Sequence, residues 1–92
     1  MRKRREVLYE AQQGICVYCR EPMPHPSEDV PQIRRATVDH IIPRSLGGSD
    51  AWDNLIAAHG YCNFKRGSDP MWRQTKKRAA EIHLLLVAQT QN

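Results

Sequence analysis

The chain has 92 residues, of which 26% are charged, with a formal net charge of +4 and a pI near 9.3. A chain of this length forms one domain, residues 1–92, and buries only roughly 60–65% of its unfolded surface, so a large apolar core is excluded and a metal staple is expected. The three cysteines are an odd number, which speaks against a closed disulfide framework.

No apolar signal segment follows the basic start, since residues 6–13 are too polar. The best apolar run, residues 82–88, is short and contains His83, so no membrane span is expected. Both point to a reducing, cytoplasmic setting. Basic residues cluster at 2–5, Arg34 with Arg35, Lys65 with Arg66, and 73–78. Such clusters suit a polyanion, nucleic acid foremost, although charge alone is equally compatible with a solvated face.

In chain order, Val7, Leu8 and Ala11 recur at helical spacing, so residues 4–13 form a short helix that Gly14 ends. Cys16-Val17-Tyr18-Cys19 then supplies a C-x-x-C segment. A loop marked by Pro22, Pro24, Pro26 and Pro31 follows, in which His25 is solvated. Residues 32–42 carry strand propensity up to Pro43, which biases Ile42 toward extended geometry. Gly47-Gly48 forces a turn, residues 49–53 make another in which Trp52 folds back over the core, and residues 54–57 return as the second strand of a hairpin. A helix begins near His59 or Gly60 and stops at Gly67. Asp69 caps a last helix with Pro70 at its first position, running over about 70–88. Its stripe of Trp72, Ala79, Ile82, Leu85 and Leu86 is core contact, or alternatively a docking face around Ile82 and Leu85.

The spacing of soft ligands is the first chemical signal. Cys16-x-x-Cys19 is matched by His59-x-x-Cys62, and together they offer the tetrahedral Cys3His set of a structural zinc. This set uses all three cysteines. The second signal is Asp39-His40, an acid and an imidazole side by side in an apolar stretch. In a regular strand the two point to opposite faces. If both serve one site, the strand has to bulge or end there.

Taken together, Cys16-x-x-Cys19, Asp39-His40-Ile41-Ile42-Pro43, Gly47-Gly48, Asp53-Asn54-Leu55 and Cys62-Asn63 resemble the HNH endonucleases. The resemblance covers about residues 14–67. It implies an α+β fold: a ββα-metal (His-Me finger) core with a Cys3His zinc site, flanked here by N- and C-terminal helices. It further implies His40 as general base, Asp39 and Asn63 as ligands of one catalytic Mg2+ or Mn2+, and Asn54 as the residue that fixes the loop around His40. The chemistry agrees with these roles, because imidazole exchanges protons near neutral pH and carboxylate and amide oxygens are hard ligands. Arg66 stands where the family often has the lysine of a Lys-Gly pair; as a forked cation it is expected to grip a DNA phosphate, with Arg44 and Lys65 as further backbone contacts. His59 replaces a cysteine of the family's second pair, and Asn63 stands for the last histidine of its motif.

The expected activity is therefore metal-dependent hydrolysis of phosphodiester bonds in double-stranded DNA, by nicking or double-strand cleavage. The competing reading is a non-catalytic zinc module that binds DNA or protein. Small family members of this kind also imply a bacterial or phage-infected host, and a partner in phage DNA packaging or restriction.

Overall fold

The computed structural model describes residues 3–69, 71 and 73–90. Its elements are helix α1 (Arg4–Ala11), strand β1 (Ala36–His40), strand β2 (Leu55–His59), helix α2 (Gly60–Arg66) and helix α3 (Arg73–Thr90). Two 3-10 turns, Arg44–Leu46 and Trp52–Asn54, lie in the loop between the strands. Pro70 and Trp72, assigned above to the start of the last helix, fall outside the described residues.

β1 and β2 pair antiparallel, with Ala36 opposite His59 and His40 opposite Leu55. Every residue of β2 is buried, and Ala57 and Ala58 at its centre keep side-chain bulk low enough for close approach. α1 packs on both strands and on α3, while α2 packs on both strands. The core gathers Leu8, Ala11, Val17, Leu55, Ile56, Ala79 and Leu86. Burying a side chain such as Leu8, Leu55 or Ile56 is worth about 1.5–3 kcal/mol, and each of these three is at most 1% exposed. Gln12, itself buried, clasps α1 to β2: its amide donates to Ala57 O at 2.9 Å and its Oε1 accepts from Ala57 N at 2.7 Å.

The first strand is shorter than its propensity. Residues 32–35 form a turn in which Arg34 N reaches Pro31 O and Arg35 N reaches Gln32 O. The carbonyls of Ile33 and Arg35 then accept from Tyr61 N and Gly60 N, the amides that a helix start leaves without an internal partner. A Cβ on Gly60 would lie 2.2 Å from Gln32 O, so this contact requires glycine. Two packing expectations also change. Trp52 does not cover the core; it is 38% exposed, with the Arg4 guanidinium 5.2 Å over its ring. On α3 the buried face runs through Thr75, Ala79 and Leu86, with Ile82 packed against it and Leu85 half exposed, because a helical face advances by three and four residues and Leu85 falls beside it.

Candidate functional site

The knuckle after α1 and the junction of β2 with α2 bring Cys16, Cys19, His59 and Cys62 together, their ligand atoms all within 4.8 Å of one another. Cys19 Sγ lies 3.3 Å from His59 Nδ1. A tetrahedral zinc with bonds of about 2.0–2.3 Å spaces its ligand atoms by about 3.3–3.8 Å, so the group fits zinc. His59 turns Nε2 to Pro22 O at 3.1 Å; donating there fixes the tautomer and leaves the Nδ1 lone pair for the metal. Burial, and then the neighbouring Cys16, push the Cys62 thiol up to about 12. Three thiols and an imidazole held this close are stable as ligands of a cation, which draws the thiols into the thiolate form.

The loop after β1 is latched by the Asn54 side chain. Asn54, buried, accepts from Ile42 N at 2.8 Å and donates to Ile42 O at 3.1 Å and Ser49 O at 2.7 Å. Ile41 N bonds Asn54 O at 2.9 Å, so the Asn54 amide takes over where the strand ladder stops. Gly48 sits so close that a Cβ would meet Ile42 O at 1.7 Å.

The strand ends at His40, one of the two outcomes expected above, and does so without a bulge. The ladder continues through Asp39 opposite Ile56 and His40 opposite Leu55, and the two side chains take opposite faces, so the end of the strand does not turn both toward one site as expected above. Toward α2, Asp39 is 7% exposed and meets Arg66, whose Nη1 is 3.2 Å from both carboxylate oxygens. The Tyr18 hydroxyl donates to Asp39 Oδ2. Burial first, and then that carboxylate, raise the Tyr18 phenol well above its usual range, so it stays a donor. On the same side Asn63 directs its amide to Thr37 Oγ1 at 3.2 Å and Val38 O at 3.4 Å.

The other face is an open cleft of about 470 Å3 lined by Arg4, Val38, His40, Arg44, Asp50 and Leu55. His40 Nε2 lies 2.7 Å from Asp50 Oδ1, and Arg44 reaches the same oxygen through Nε at 3.1 Å and Nη2 at 2.9 Å. Arg4 donates to the Asp50 carbonyl. The hydrogen bond from His40, followed by that from Arg44, holds the Asp50 carboxyl below the usual carboxylate range.

Of the residues expected to touch DNA, Arg44 and Lys65 are exposed. Arg66 is not. Its side chain is 7% exposed and directed at Asp39, because a buried carboxylate needs a compensating charge more than a surface arginine needs a phosphate. Sequence reasoning missed Tyr18 and Asp50. Tyr18 gave no signal beyond its place between two cysteines; Asp50 gave a faint one, an acid just after the Gly-Gly turn that follows the histidine.

The family described as HNH endonuclease matches residues 16–69, more than half of the 92 residues. The matched span holds the Cys16/Cys19 and His59/Cys62 pairs, Asp39-His40, the Asn54 latch and α2. The chain belongs to the HNH endonuclease family. Comparison with curated proteins gives no match.

Proposed function

We propose that the chain is a metal-dependent endonuclease that hydrolyses DNA phosphodiester bonds, with His40 as general base and Asp39 and Asn63 as protein ligands of one Mg2+ or Mn2+. The observation that carries this reading is the His40–Asp50 contact at 2.7 Å in an open cleft flanked by Arg4 and Arg44. His40 donates Nε2–H to Asp50, and Nδ1 then holds the lone pair that takes a proton from water as the water oxygen bonds phosphorus and the ester P–O bond breaks. Arg4 and Arg44 bring positive charge to the phosphate, and exposed Lys65 extends the backbone contact along α2. Asn54 sets the loop that carries Asp50 and Arg44.

The donors suit a hard cation: Asp39 brings a carboxylate and Asn63 an amide oxygen from the helix that packs on its strand. A bound divalent ion supplies Lewis-acid polarisation of the phosphoryl oxygen and neutralises the leaving oxygen. The second reading, a non-catalytic zinc-containing module that binds DNA or protein, draws on the Asp39–Arg66 pair, which already neutralises the acid, and on the opposite faces that Asp39 and His40 take in a regular strand, which count against one shared site. A place beside a phage packaging or restriction assembly belongs to either reading.

Plasmid nicking with added Mg2+ or Mn2+ separates them. The wild type is expected to cut and His40→Ala to lose about 10²–10⁴ in rate with its fold retained. If both are inactive while both bind DNA in a salt-sensitive way, the binding module is correct.

A further inference from the structure

We propose that Arg66 is the internal counter-cation of Asp39 and competes with the divalent ion for it, so that the metal affinity of the site is set from α2. The inference rests on Asp39 being an ion ligand, as proposed above. Arg66 spends its whole guanidinium inside the protein. Nη1 contacts both Asp39 oxygens and also donates to His40 O at 2.5 Å, Nη2 donates to Ile41 O at 2.7 Å, and Nε donates to Asp69 O at 2.7 Å. A carboxylate beside two successive carbonyls is an oxygen cluster of the kind that attracts hard cations. Here it is filled by a residue of the chain itself.

Two consequences follow from charge. Asp39, with Tyr18 on Oδ2 and Arg66 on both oxygens, is satisfied without an ion, so the site holds its shape before one binds. A divalent ion on that carboxylate meets a guanidinium buried within about 3 Å of it, and in a poorly screened interior the two cations repel strongly. Arg66 therefore has to leave for the ion to enter.

The test uses the zinc-loaded chain without DNA, titrated with Mn2+ and followed by electron paramagnetic resonance and by thermal melting. Arg66→Met, which keeps the length and drops the charge, is expected to bind Mn2+ at least about tenfold more tightly than the wild type, with Arg66→Lys between them. Mn2+ is also expected to raise the melting temperature of Arg66→Met more than that of the wild type. Adding Asp39→Asn to Arg66→Met should abolish both gains. If Arg66→Met binds no more tightly than a wild type that does bind, the competition is refuted and the ion site stands. If neither binds Mn2+, both the competition and the ion site fall. Should Arg66→Met not fold even with Mn2+, Arg66→Lys decides: no gain in affinity refutes the proposal.

Discussion

Asp39 and His40 are neighbours in one strand and occupy different media. Asp39 is sealed between Tyr18 and Arg66, whereas His40 opens on a cleft where Asp50 and Arg44 are both exposed. On the sealed side each polar atom needs a partner, because an unpaired charge there cannot turn to water. On the open side the same contacts are replaceable by solvent, so they orient groups and add little stability. One strand thereby separates the holding of charge from the handling of protons, and substitutions on its two faces should fail in different ways.

The largest effect lies at the anchor of the sealed side. Zinc in such sites contributes about 10–16 kcal/mol against total domain stabilities of about 5–15 kcal/mol, so chelation, or Cys62→Ser, should abolish cooperative melting seen by circular dichroism. A chain that keeps a cooperative transition after losing its zinc would break the comparison at its root. Next, Asp39→Ala strands the Arg66 guanidinium and should cost about 3–5 kcal/mol in urea unfolding; a cost near zero would mean the sealed side is wetter than its burial implies. Asn54→Ala leaves the Ile42 amide and two carbonyls without their partner and should cost about 2–3 kcal/mol, with nicking lost as the loop detaches. The smallest structural effect belongs to the open side: Asp50→Ala should leave the melting curve where it was and slow nicking roughly ten- to a hundredfold. Should Asp50→Ala destabilise the fold as much as Asp39→Ala, the two faces do not differ as described.

What the sequence disclosed follows the range of the forces involved. Local signals were legible: Gly14 after α1, Gly67 after α2, and the doubled two-residue gap of the zinc ligands, since each acts within a turn or two of chain. Strand length was less so, because residues 32–35 have the composition of a strand and are bent by Pro31 and by the amides of α2 that they satisfy. The polar partners of the site were least legible. Tyr18 and Asp50 reach Asp39 and His40 only after folding, and the inward turn of Arg66 depends on how deeply Asp39 is buried, which no spacing encodes.

The clasp of Gln12 on Ala57 has a counterpart on the other strand. Ala57 lies opposite Val38, and the outward carbonyls of β1, those of Val38 and His40, receive Asn63 and Arg66. Side chains thus take up outward carbonyls at both edges of this two-stranded sheet, which works against growth by a further strand. Association through strand addition is thereby disfavoured, and a second copy, if cutting both strands of a duplex calls for one, meets the first more readily through helices and loops.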